Sequence, residues 1–401
     1  MSETATPLAY AQRIVDPALS GEHPQDWYAA KLRLGIEAAG DGLVAVRRMA
    51  DILELNRARQ VITGNSVDVP NRPRGGILGL GGHYVAIPLA LDGAEHTKWR
   101  RLLDPLFTPK KVAALEDRVR ARAVELLDRI YDTHAVDVYK EWCEPLPSSI
   151  FLSIMGIPAE ELTHFLGFKN VILSAGQTVQ PTLAEREAAF TDCEAWFSAE
   201  FDRREKAGDY GEDVIGWLLT VEVEGRRIAR EELLGICNLF MIAGLDTVAA
   251  SLACILAHLA RHPERRQAVL DNPALWPTAI EELMRFESPV TGGSRFALEE
   301  VELPSGTIGG STLANVSWSA ANLDPEFFPE PLEVRLDRSP NPHIAFASGF
   351  HRCLGSHLAR MELRAALQEW HRRIPHYDVA PGTTLTYSGN PRTPRPLPLV
   401  W

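Results

Sequence analysis

From Glu231 to His262 the chain runs without a proline, and Pro263 supplies the stop. As an α-helix rising 1.5 Å per residue, this segment would be a rod roughly 45–50 Å long. Apolar residues occupy nearly every face of it, and a helix apolar all round must be buried in a large protein or in lipid. Asn238, Asp246, Thr247 and His258 interrupt the run and leave no stretch of about 18 unbroken apolar residues. The segment therefore reads as a core helix and not as a membrane span. Burying such a rod takes a long chain, and 401 residues with 45% hydrophobic and 23% charged side chains are enough for a large core.

Outside that segment the pattern is mostly helical with a minor β component. Residues 1–26 read as a poorly structured lead-in. Helical periodicity covers about 27–64, 95–103 and 112–133, and continues with breaks through 142–207. Strand-like segments are short, near 296–303, 312–317 and 385–387. The stretch Gly64–Gly82, rich in Gly, Pro and Asn, is too long for a plain connection and reads as a functional loop or lid. Length alone suggests two or three domains at roughly 150 residues each.

Charge and cysteine usage remove whole classes of function. With 41 basic against 53 acidic residues the net charge is −12, which argues against nucleic acid or an anionic membrane as the main partner. The five cysteines, at 143, 193, 237, 254 and 353, are odd in number, widely spaced and form no C-x-x-C pair. That excludes a disulfide framework or a zinc site and points to a reducing compartment. Met1–Gln12 has neither a basic start nor an apolar run, so a soluble cytoplasmic protein is expected.

Three motifs carry chemistry. The first, Ala243-Gly244-Leu245-Asp246-Thr247, sits mid-helix, where Gly costs about 1 kcal/mol relative to Ala. The missing side chain would let a flat or bulky group approach the backbone, and the acid and hydroxyl beside it are the parts of a proton relay. The plainer reading is a helix kink, with the threonine bonded back to a carbonyl and Asp246 paired with a distant arginine. The second motif is Phe346-Ala-Ser-Gly349-Phe-His351-Arg-Cys353-Leu-Gly355, followed by a helical run from Ser356 to about Arg372. A cysteine just before a helix is placed where the dipole favours a thiolate, either as a nucleophile or as a metal ligand. Cys143, Cys193, Cys237 and Cys254 read instead as small buried hydrophobes. The third motif is Glu282-Leu-Met-Arg285, an acid–base pair on one helix face.

Together, in this order and spacing, the three motifs resemble the cytochrome P450 family of haem-thiolate monooxygenases. The likeness runs from about residue 30 to the C-terminus and is of the soluble bacterial form. It implies the cytochrome P450 fold, mainly α with a minor β region and the long central helix over haem, with residues 27–401 as a single domain. Cys353 would be the axial ligand of haem b, with Phe346, Gly349 and Gly355 shaping its loop. Ala243 and Gly244 would leave the groove where dioxygen binds, Thr247 would hydrogen-bond it, and Asp246 would help deliver protons. His96, Arg100, Arg295 and His351 match the positions that hold the haem carboxylates. Glu282 and Arg285 would form a structural network with Arg338, in the segment Arg338-Ser-Pro-Asn-Pro-His343. The segment Ala321-Asn322-Leu323-Asp324-Pro325 also matches the family. Ala347-Ser348, where many bacterial members carry Gly-His, and Arg352, just before the cysteine, depart from the family pattern.

On the substrate side, Tyr84 and the ending Leu397-Pro-Leu-Val-Trp401 resemble the camphor-hydroxylase branch. Leu239, Ile242, Val290 and Thr291 would complete an apolar pocket for a small hydrophobic molecule, terpenoid-like before steroid or fatty acid. No flavin or nicotinamide fingerprint follows a predicted strand. Electrons would therefore come from NAD(P)H through a reductase and an iron–sulfur ferredoxin. Lys98, Arg101, Lys110, Lys111, Arg352, Arg360 and Arg364 would gather on the cysteine side as its dock. A monomer is the family's usual state. Direct use of peroxide, or a non-catalytic haem-based sensor or apolar-ligand binder, are the competing readings; the Asp246-Thr247 pair favours dioxygen activation.

Overall fold

The protein is described here from a computed structural model, covering residues 21, 23–40, 42–70, 77, 80–173, 181–389 and 391–401. Most of the expected lead-in, and parts of the 64–82 and 176–181 loops, lie outside the described residues. The helices that build the site are α1 (Gly93–Leu103), α2 (Glu116–Ile130), α3 (Pro145–Met155), α4 (Leu162–Ile172), α5 (Leu183–Ala207), α6 (Arg230–Gly244), α7 (Thr247–Arg261), α8 (Trp276–Glu287) and α9 (Ser356–Arg373). The expected continuous rod is thus two helices, α6 and α7, parted at Leu245–Asp246. Asp246 leaves helical geometry with φ −123°. The Thr247 hydroxyl donates back to the Ala243 carbonyl at 2.9 Å, and the Ser148 hydroxyl donates to the Leu245 carbonyl at 3.1 Å. Side chains therefore satisfy carbonyls that the break frees, as buried backbone requires.

By length and composition the 230–261 segment could cross a membrane, but its surface is largely covered by protein. Every residue of α7 from Val248 to Ala260 is buried, against α3, α8 and α9, in a core that includes Trp142, Trp276 and Trp370. The helix α6 packs on α3, α4 and α5 in a second core rich in phenylalanine, including Phe151, Phe165, Phe190 and Phe240.

The β component is larger at the N-terminal side than the sequence suggests. Its main sheet comprises β1 (Ile36–Gly40), β2 (Leu43–Val46), β3 (Val61–Thr63), β4 (Gly292–Ala297) and β5 (Thr312–Ser317), in the order β1-β2-β5-β4-β3. Only β2 and β5 run parallel, with Leu43 against Leu313. The helical reading of 27–64 holds for Gln25–Leu32 and Met49–Leu55 but not for β1, β2 and β3. Segments such as Leu43-Val-Ala-Val46 are too short for periodicity to separate strand from buried helix, and they are strands because β5 arrives to pair with them. The expected strand at 296–303 is two, Gly292–Ala297 and Val301–Leu303, which belong to different sheets.

Candidate active site

The loop before α9 is held by its own backbone and by Asn56. The Cys353 N–H donates to the Phe346 carbonyl at 2.9 Å. Gly349 has φ +72°, and a Cβ there would lie 3.2 Å from Asn56, so glycine is needed for conformation and for close approach. Ala347, at the unusual pair, also has positive φ, +56°, which explains why glycine is the better fit there. Its neighbour Ser348 accepts a hydrogen bond from Asn56 Nδ2 at 2.7 Å. Cys353 has an open face, unlike the other four cysteines. Dense protein on its other sides pushes the thiol up, while the Gly355 N–H and the Arg100, Arg360 and Arg352 guanidiniums favour the thiolate. A Cβ on Gly355 would meet nothing within 4 Å. Phe346 is half-buried, with the Arg360 guanidinium 4.3 Å above its ring.

The four expected carboxylate partners converge on this loop. Arg100 donates to the Arg352 carbonyl at 2.8 Å, which brings α1 against it. The rings of His96 and His351 lie 4.3 Å apart, and His351 Nε2 donates to Asp92 at 3.1 Å. Arg295, buried on β4, donates from Nε to Asn56 Oδ1 at 2.7 Å, so Asn56 ties that strand to Ser348. Burial lowers the Arg295 guanidinium to about 10, leaving it cationic at neutral pH. Burial also lowers His96, and the charges on His351 and Arg100 lower it further, to about 4. Its Nε2 is buried with no hydrogen-bond partner among the described residues. A buried donor or acceptor without a partner is costly, so this cluster of cations with one idle imidazole nitrogen is suited to an anionic ligand.

At the α6–α7 junction Ala243 is exposed, and Leu239, Gly244 and Thr247 are partly so, although these helices are otherwise largely buried. That stripe is not covered by protein. One expectation needs correction here. The room left by Gly244 is taken by the Phe151 ring of α3, 2.6 Å from where a Cβ would be, so the flat group that approaches this glycine is a side chain of the protein. The Asp246 carboxylate is buried and tied down. Arg395 reaches both oxygens at 2.6 and 2.7 Å, the Tyr139 hydroxyl donates at 2.9 Å, and Lys169 lies at 3.2 Å. Burial alone would raise this carboxyl, but Lys169 and Arg395 hold it below its ordinary value. Lys169, with a side chain 0% exposed, also pairs with Glu144. The plainer reading of the motif, a threonine back-bond and an acid–arginine pair, is thus what the geometry displays.

Tyr84, Leu239 and Ile242 meet at a small cavity, together with Phe190 and Asn238. Gly235 makes this possible, because any Cβ there would strike the Val85 carbonyl at 2.1 Å and hold the Tyr84 segment off α6. Val290 and Thr291 lead into β4, half-buried, and do not line that cavity. Asn238 is the residue the sequence did not flag for a site; its only signal was a polar group in an apolar run. Glu282, Arg285 and Arg338 do come together, fully buried, with carboxylate–guanidinium distances of 2.8–3.0 Å.

A model of the cytochrome P450 family matches residues 203–373. A probable cytochrome P450 127A1 of Sinorhizobium fredii is 35% identical over 313 residues, spanning 78% of this chain and 73% of its own. The chain belongs to the cytochrome P450 family. The mycinamicin IV hydroxylase/epoxidase of Micromonospora griseorubida is 32% identical, over 78% of this chain and 79% of its own. The solved structure of the bacillaene polyketide synthase cytochrome P450 PksS of Bacillus subtilis superposes with a TM-score of 0.84, at 25% identity and 99% coverage of both chains. As a cytochrome P450 the protein is a haem-thiolate monooxygenase, a class that uses dioxygen, an organic substrate and redox partners.

The residues present fit the P450 haem. The idle His96 nitrogen beside Arg100, Arg295 and His351 suits its carboxylates, and the open face of Cys353 suits its iron. The expected basic dock is smaller than the sequence implied. Lys98 is paired with Glu95 and Glu224, Arg360 with Glu281, and Arg364 with Glu116. Exposed and without an ion pair among the described residues are Arg101, Lys110, Lys111 and Arg352. Phe350, 75% exposed, lies beside Arg352.

Proposed function

We propose that this P450 is a single-domain, cytoplasmic, monomeric enzyme that hydroxylates a compact hydrophobic substrate, terpenoid-like before steroid or fatty acid. It would draw electrons from NAD(P)H through a reductase and an iron–sulfur ferredoxin. The observation that carries the reading is the idle, buried His96 nitrogen among Arg100, Arg295 and His351, next to a cysteine loop with one open face. The apolar side chains of Leu239 and Ile242 beside Tyr84 support a hydrophobic substrate with one polar group.

Bound haem b would supply the oxygen-activating chemistry, and the chain would do the rest. Cys353 Sγ would hold the iron, with the Gly355 N–H and nearby guanidiniums stabilising its negative charge. His96, Arg100, Arg295 and His351 would fix the carboxylates. Thr247 Oγ1, which donates to the Ala243 carbonyl, would turn its proton toward dioxygen. Asp246 would resupply that proton. Held by Lys169 and Arg395, this carboxylate rests ionised, so it must first release one partner and take up a proton before passing it on. Glu144, bonded to Lys169, and Arg395 both reach solvent, which gives the relay a source of protons.

The test is the reduced, carbon-monoxide-bound spectrum. The thiolate signature should be present and should vanish in Cys353→Ala. A wild-type spectrum without it overturns the reading. In Thr247→Ala, NADH should still be consumed while product per NADH collapses. Reduction by ferredoxin should slow as salt rises and slow further in Arg352→Glu; a rate independent of salt would sink the docking face.

A further inference from the structure

We propose that Asn238 is a specificity-determining residue, whose side-chain oxygen accepts a hydrogen bond from a hydroxyl or N–H group on an otherwise apolar substrate. This rests on the monooxygenase reading and narrows its substrate class.

Asn238 lies on α6 and is 5% exposed. Together with Leu239 and Ile242 on the same helix, and with Tyr84 and Phe190, it lines the small cavity. An amide inside an apolar helix stabilises nothing unless both of its ends are satisfied. One end is. Asn238 Nδ2 donates to Glu194 Oε1 at 2.7 Å, and Glu194, a buried residue of α5, takes His83 Nδ1 on its other oxygen at 2.7 Å. An ionised carboxylate can only accept, so the amide cannot turn over without bringing two acceptors together. The orientation is fixed by chemistry: nitrogen toward Glu194, oxygen away from it. That oxygen, Oδ1, is buried and has no partner among the described residues.

The cavity, about 10 Å³ and so with room for one hydroxyl or N–H group and not for a whole ligand, is lined by this residue, whose amide is oriented by the Glu194 carboxylate. A hydrocarbon ligand would leave Oδ1 unpaired, whereas a ligand with a donor at that point would satisfy it. Sites built to hydrogen-bond a ligand reject the analogue that lacks the group more strongly than apolar pockets reject a missing methylene.

The test uses the haem-loaded protein and two matched series of probes, 1-alkylimidazoles and 1-(ω-hydroxyalkyl)imidazoles of graded tail length. The imidazole end binds the iron and reports binding by a spectral shift, while the tail explores the cavity. Wild type should bind the hydroxyl member about fivefold more tightly than its alkyl match at one tail length, relative to the trend at other lengths. Asn238→Leu should abolish that preference while keeping affinity for alkyl tails. If this variant does not fold with haem, Asn238→Ala gives the same readout. No preference at any length in wild type, or one that survives the substitution, overturns the proposal. If the carbon-monoxide thiolate signature is absent, the proposed function fails and this inference with it; with that signature present and no imidazole bound at any tail length, the inference alone is overturned.

Discussion

Replacing Glu282 by glutamine removes one negative charge from a place where two positive ones depend on it. Arg285 donates to both carboxylate oxygens at 2.8 Å, and Arg338 Nε lies 3.0 Å from each. Glu282 and Arg285 are 0% exposed and Arg338 5%, so water screens none of them. Burial alone would raise the carboxyl, and the arginines hold it below its ordinary value. Their remaining donors go to the carbonyls of Asn322, Pro329, Glu330, Pro331 and Glu333, dipoles that help one carboxylate serve two guanidiniums. Removing one member of a buried ion pair costs about 3–5 kcal/mol. Glutamine keeps the shape and one acceptor, so the lower end applies, about 3 kcal/mol. Unfolding entropy of about 2.1 cal/mol/K per residue gives about 0.84 kcal/mol/K for 401 residues, and hence a fall in Tm of about 3.5 °C. Calorimetry on the haem-loaded protein measures it. The loss should reach the cysteine loop too, because Asn322, which supports Arg285, also accepts the Ile344 N–H at 2.8 Å, two residues before Phe346. Haem per protein should therefore fall along with Tm. A variant melting within about 1 °C of wild type, with full haem, would refute the argument.

Gly244→Ala should destabilise by about 1–3 kcal/mol through overpacking against Phe151, despite the better helix propensity of alanine, and Phe151→Leu should restore most of the loss. A thermal melt of the single and double variants decides it. Ala347→Gly should stabilise by about 1 kcal/mol by relieving the positive φ, and a lower melting temperature would count against that strain. Glu287 is raised by burial, but His258, Arg392 and Arg261 override this and leave it at about 2. Its folded value lies below its unfolded one of about 4.3, so its contribution is present above that pH and lost as pH falls toward 2. Urea midpoints should drop across that window, and Glu287→Gln should flatten the slope.

The features legible in the sequence were those set by local pattern. The apolar run of α6 and α7, the loop ending in Cys353 and the Glu282–Arg285 pair announce themselves through spacing, and the structure brings His96, Arg100, Arg295 and His351 to that loop. What stayed hidden depends on partners far along the chain. Asp246 meets Tyr139, Lys169 and Arg395, at separations of 107, 77 and 149 residues, and no periodicity encodes such meetings. The same holds for Phe151 against Gly244, and for Glu281 and Glu116, which neutralise Arg360 and Arg364. Charge counts reveal how many cations exist but not which are already matched. Asn238 was visible as a blemish in an apolar helix, yet its meaning needed Glu194 from α5.

The parallel pairing of β2 with β5 bears on how the molecule is made. Leu43 waits for Leu313, 270 residues later in synthesis. At about 5–20 residues per second, that is roughly a quarter of a minute to a minute during which the β1–β2 hairpin has left the ribosome with one edge unpaired. The edge is the apolar run Leu43-Val-Ala-Val46, and unpaired strand edges recruit other chains. Crowded expression endangers this short segment, and fewer nascent chains made at one time protect it.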